Sequence, residues 1–82
     1  MRKLMPHISV KLWPGKTEEQ KHRLTAQIVK DLMEITNNSE ESISITIEDV
    51  EPDDWADKVY YPEIVANQDK LYKKPGYGSL AQ

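Results

Sequence analysis

Pro6 follows Met5 and opens the alternating stretch His7-Ile8-Ser9-Val10-Lys11-Leu12-Trp13. Initiation at Met5 followed by its removal would make the proline nitrogen a free secondary amine, a proton acceptor that no side chain supplies. An α-amino group ordinarily titrates at weakly alkaline pH, and desolvation or a nearby cation favours its neutral form. Such a nitrogen suits proton transfer at a weakly acidic carbon. It can also form iminium species, so covalent chemistry stays open. While Met1-Arg2-Lys3-Leu4-Met5 remain attached, the same atom is an amide without basicity, and Pro6 merely opens a strand.

Two further residues are placed to assist. Lys16 follows the turn Pro14-Gly15, where a cation can bind a carboxylate and favour the neutral form of a neighbouring amine. Its plainer reading is a solvated lysine beside a helix start. Trp55 lies in the acidic stretch Glu51-Pro52-Asp53-Asp54-Trp55, either as the dry wall of an apolar pocket or as a plug in a core or subunit interface. His7 falls on the opposite face of its strand from Pro6 and reads as a surface or interface residue. Ser9 and Ser44 have no histidine and acid partners that would make a serine nucleophile. Asp49, Glu51, Asp53 and Asp54 lack the glycine and terminal glutamate of a calcium loop, and Gly76 and Gly78 do not form a phosphate loop.

Composition narrows the classes. The chain has 82 residues, one small domain whose core would be marginal in a lone monomer, so self-association is expected. It has no cysteine, which removes disulfides, thiolate nucleophiles and thiolate-rich zinc sites, and a reducing cytoplasm is the expected compartment. The two histidines, His7 and His22, are too few and too far apart for a metal site. No apolar run approaches a membrane span, and the leading residues lack the apolar core of a signal peptide. A net charge of −3 gives no attraction to nucleic acid or anionic lipid.

The elements that must position these residues follow from periodicity. Ile8, Val10 and Leu12 alternate with polar residues over 7–13, the pattern of a strand with one covered face. Thr17-Glu18-Glu19-Gln20 has the spacing of a capping box, and its glutamates suit a helix N-terminus. Leu24, Ile28, Leu32 and Ile35 then share one face of a helix that Asn37-Asn38 should stop near Thr36. A second strand is expected over Ser42–Ile47, with Ile43, Ile45 and Ile47 on one side. Strand, helix and strand make a βαβ unit, whose crossover sets the two strands parallel. Two strands alone are not a stable sheet, so completion across a subunit interface is expected. A second, shorter helix is expected from Pro62 to about Tyr72, because proline suits a first turn and Ile64, Val65, Gln68 and Leu71 can share a face. The segment Glu51 to Trp55 reads as a loop or a short helical turn.

Together, Met5-Pro6-His7-Ile8 at the βαβ start, Pro14-Gly15-Lys16-Thr17-Glu18-Glu19-Gln20-Lys21, the second strand and Trp55 resemble the 4-oxalocrotonate tautomerase family. The likeness extends over nearly all of Met5 to Tyr77. The tail, with Trp55, Pro62 and Lys73-Lys74-Pro75-Gly76-Tyr77, is most similar to the small bacterial enol-keto tautomerases of phenylpyruvate type, a typically dimeric subgroup. The resemblance implies an α/β fold: a tautomerase-like βαβ unit with a short C-terminal helix, its sheet completed by oligomerisation. Residues 1–5 would then be an extension or initiator segment, 6–77 a single domain and 78–82 a tail.

By the same resemblance Pro6 is the general base and Trp55 the aromatic pocket wall. The family's arginine after the first strand falls on Lys16, which keeps the charge and loses the bidentate fork. A second substrate-binding arginine falls on Ser44, which can hydrogen-bond an oxygen but supplies no charge. That departure points away from a dicarboxylate and toward a 2-oxo monoacid with an apolar or aromatic end. The implied activity is a cofactor-independent isomerisation of enol and keto forms by a homodimer. Two other readings stand beside it: a catalytically silent dimeric binding module if residues 1–5 stay attached, and dehalogenation or decarboxylation of an unsaturated acid on the same scaffold.

Overall fold

In a computed structural model, residues 5–81 are described, and Met1 to Leu4, where the leading extension was expected, lie outside them. The described residues form two compact units that divide between Asp49 and Val50.

The first unit runs β1 (His7–Leu12), α1 (Glu18–Thr36), a 3-10 turn (Glu40–Ser42) and β2 (Ser44–Asp49). The two strands pair in parallel, with His7 opposite Ser44 and Leu12 opposite Asp49. Alternation sorts the faces. Ile8, Val10, Ile45 and Ile47 are half-buried, while His7, Ser9, Ser44, Thr46 and Glu48 are exposed. Ile8 lines one apolar groove with Ile28, Leu32 and Ile35, so α1 lies over the isoleucine face and leaves the other face open.

The capping box forms as its spacing requires. Gln20 N–H donates to Thr17 Oγ1 at 3.0 Å, and Thr17 N–H donates to Gln20 Oε1 at 2.8 Å. A cap of this kind is worth about 1 kcal/mol. Asn37 ends the helix at a φ of 60°, the left-handed conformation that asparagine tolerates. Lys21 Nζ reaches Asp49 at 3.1 Å and Glu18 at 3.7 Å, joining the first turn of α1 to the end of β2. Its hydrogen bond to Asp49 is the main cause holding the ammonium pKa above the ordinary lysine value. β2 starts two residues later than the alternation suggests. Ser42 closes the 3-10 turn instead, where it is buried and its hydroxyl donates to the Ser39 carbonyl at 2.7 Å.

In the second unit α2 (Pro52–Trp55) runs directly into a π-helical segment (Ala56–Val65), and 3-10 turns follow at Gln68–Lys70 and Gly78–Leu80. The short helical turn expected over Glu51 to Trp55 forms from Pro52, but it runs on to Val65, so no separate helix starts at Pro62 and none extends to Tyr72. Pro52 takes the N-terminal position that proline suits, behind Glu51 as N-cap and with Asp53 and Asp54 in the first turn. Pro62 sits inside the wide segment instead. Proline has no N–H to donate and crowds the preceding turn. A five-residue hydrogen-bond spacing alters that turn, and Ala66 N–H closes it on the Tyr61 carbonyl at 3.0 Å. Coverage follows the same spacing: Asp54 and Trp55 are half-buried, Val59 and Tyr60 buried, Ile64 and Val65 half-buried, with exposed residues between.

The chain returns to this helix at its end. Tyr60 is buried, and its hydroxyl accepts the Leu80 N–H at 3.2 Å and lies 3.0 Å from Ser79 Oγ. The Ser79 bond is the main reason its pKa falls below the ordinary tyrosine value. Gly78 makes the approach possible: its φ is 71°, and a Cβ there would lie 2.3 Å from the Tyr60 hydroxyl oxygen. Gly78→Ala should therefore destabilise the docked segment by about 2 kcal/mol or more, from the left-handed backbone and the overlap together. Faster hydrogen exchange at the Leu80 amide would report it; unchanged exchange would contradict the steric account.

Candidate functional site

Parallel register builds the first part of the site. Pro6 is half-buried immediately before β1, and its carbonyl accepts the Ser44 N–H at 3.3 Å. The proposed base and the first residue of β2 therefore sit at the same end of the sheet. Ser44 is exposed on the open face, directly across from His7. The His7 Nδ1 and Ser44 Oγ atoms are 2.7 Å apart, a short cross-strand hydrogen bond.

Lys16 is exposed at the other end. It stands between Gly15, whose φ of 125° turns the chain after β1, and Thr17, the N-cap of α1. β1 has six residues; at about 3.3 Å per residue it separates Pro6 from the Lys16 turn by about 20 Å. Within one chain, then, Lys16 does not reach the Pro6 nitrogen.

Trp55 belongs to the second unit. It is the last residue of α2, half-buried, and its indole Nε1–H donates to the Tyr77 hydroxyl at 3.1 Å. Tyr77 in turn packs against Tyr60, with ring centroids 5.6 Å apart and planes tilted by 39°. The hydrogen bond fixes the indole plane from its polar edge and leaves the ring faces for apolar contact.

Two participants escape the sequence. Alternation gives His7 a face, and with it a surface or interface role, but not a partner; the parallel register supplies Ser44. Tyr77 lies 22 residues from Trp55, and no local pattern links them. Among the described residues, no group of three or more His, Cys, Asp or Glu is placed to hold a metal ion, and no helix is long and apolar enough to cross a membrane.

The chain is similar to known proteins along most of its length. Residues 6–62 match the family described as tautomerase enzyme. A probable tautomerase of Xylella fastidiosa (strain 9a5c) is 36% identical over 77 residues, 94% of each chain. Tautomerase PptA of Klebsiella pneumoniae (strain 342) is 40% identical over 74 residues, 89% of this chain and 97% of the relative. The solved structure of YwhB, a homologue of 4-oxalocrotonate tautomerase, is 38% identical, with a TM-score of 0.57 over 58% of this chain and 79% of that one.

Proposed function

The chain belongs to the tautomerase enzyme family, and on that premise we propose that it interconverts the enol and keto forms of a 2-oxo monoacid, with Pro6 as the base. The observation that carries this reading is the family match opening on Pro6, which stands at the head of β1 in a parallel βαβ unit. Family membership makes the chain an isomerase. The choice of substrate rests on Ser44, a neutral residue where a second cation would favour a dicarboxylate.

In this mechanism the neutral Pro6 nitrogen takes the proton of the enol hydroxyl. The C–O double bond forms, the electron pair of the C2–C3 double bond moves to C3, and the Pro6 ammonium returns its proton there. Lys16 neutralises the carboxylate, Ser44 hydrogen-bonds an oxygen and Trp55 faces the aryl or alkyl end. No cofactor takes part. Proton transfer by a positioned base contributes about 10²- to 10⁴-fold, and a dry site strengthens the attraction of the lysine for the carboxylate.

If Lys16 and Pro6 serve one site, the distance between them calls for an oligomeric active unit, in this reading a cytoplasmic homodimer. If β1 pairs antiparallel with β1 of a second copy, each Pro6 meets the far end of the other strand, where the second Lys16 stands. Residues 6–77 act as the functional domain of each copy.

The test is the ketonisation of phenylenolpyruvate by protein that begins at Pro6. Acceleration over buffer is expected, with Lys16→Ala raising KM about tenfold or more through loss of a charged hydrogen bond. No acceleration would refute the assignment, and an intact mass of the native protein that still includes Leu4 would favour the silent binding module.

A further inference from the structure

The open face of the sheet carries three cross-strand polar pairs in register: His7 with Ser44, Ser9 with Thr46, and Lys11 with Glu48. The first stands apart by position and by chemistry. It is at the Pro6 end, Ser44 is tied to the Pro6 carbonyl through its backbone, and its side chain is held by an imidazole nitrogen at 2.7 Å.

A serine hydroxyl has one proton and can accept as well as donate. If the imidazole nitrogen facing it is bare, the hydroxyl proton is spent on that nitrogen and only lone pairs face outward. When Nδ1 carries the hydrogen, Ser44 accepts from His7 and its own proton is released for another acceptor. Only the second arrangement serves an anionic substrate. A carboxylate or enolate oxygen needs a donor, and an outward lone pair would repel it.

We propose that His7 is a positioning residue for the carboxylate end of the substrate: its Nδ1–H polarises the Ser44 hydroxyl so that the hydroxyl donates outward to a substrate oxygen. This rests on the reading of the site given above and deepens it. His7 and Ser44 act as one unit, a neutral donor pair beside the carboxylate that Lys16 neutralises, at a position where the family carries a second cation. The unit selects for monoanions, since it offers one directed donor and no bidentate fork.

The test uses protein beginning at Pro6 and two readouts, phenylenolpyruvate turnover and direct titration with phenylacetate as a monoanionic probe. His7→Leu and Ser44→Ala should each raise KM and the phenylacetate Kd about tenfold, the loss of one charge-assisted hydrogen bond, with kcat within about twofold of the parent. The double variant should be no worse than either single variant, because both remove the same donor. His7→Asn, which can place an amide N–H near the Nδ1 position, should recover most of the binding. Nitrogen NMR of the His7 ring should show hydrogen on Nδ1. A bare Nδ1, parental binding in His7→Leu, or independent multiplication of the two single effects would each overturn the proposal. So would failure of the parent protein to bind phenylacetate saturably. A parent that binds with the expected variant pattern but does not turn over the enol refutes the activity and leaves the pair intact; a parent that turns over while His7→Leu matches its KM refutes the pair alone.

Discussion

Leaving Met5 attached to Pro6 should cost about 10²- to 10⁴-fold in kcat for enol ketonisation, the whole contribution of a positioned base. The reason is electronic. An amide nitrogen shares its lone pair with the carbonyl and cannot accept a proton at neutral pH. The comparison needs two preparations, one beginning at Pro6 and one retaining the leading residues, each checked by intact mass. KM should change less than kcat, because the carboxylate and apolar contacts survive. Pro6→Ala at the mature N-terminus keeps an amine but alters its substitution and shape, so its loss should be intermediate. Equal turnover with and without the leading residues would remove Pro6 from the chemistry and send the search to another base.

The second large effect concerns assembly. No residue of the 19-residue helix α1 is buried, and the buried apolar side chains among the described residues are Val50, Val59 and Tyr60. Ile35 is 79% exposed and Trp13 58%. A two-stranded sheet is not independently stable, and its open edges are ready to pair. Folding should therefore be coupled to association. For a dimer, each tenfold dilution should lower the stability by about 1.4 kcal/mol, so the melting temperature should climb with protein concentration. Sedimentation should find a dimer or larger species under conditions where the chain is folded. A monomeric mass together with a concentration-independent melting temperature would contradict this and also separate Lys16 from Pro6.

Much of this architecture could be read from residue order, and the reasons are local. α1 carries its start in Thr17 and Gln20, its face in Leu24, Ile28, Leu32 and Ile35, and its stop in Asn37. The strands alternate cleanly, although Ser42 shows the limit: a serine that fits the alternation also fits a turn, and there its hydroxyl has a carbonyl to bond. The candidate site was legible as chemistry more than as geometry. Pro6, Lys16 and Trp55 stand out by residue type and Ser44 only through the family resemblance, and the meeting of Pro6 with Ser44 follows once the strands are parallel. The separation of Lys16 from Pro6 needs strand length as well as residue type. The segment after Trp55 defeats a sequence reading because Pro62 has the character of a helix start, and because covered residues spaced by five match neither the strand period nor the α-helical one.

That spacing bears on which changes of length the chain can take. A stretch wound one residue wider per turn is what a helix becomes when it absorbs an extra codon without moving its neighbours. Deleting one residue between Ala56 and Val65 would return part of it to ordinary pitch and leave the indole of Trp55 near its present bearing relative to Ile64 and Val65, whereas the same loss in a regular α-helix would swing it by about 100°. The aromatic wall can thus keep its aim through a change of chain length that would re-aim it in a regular helix.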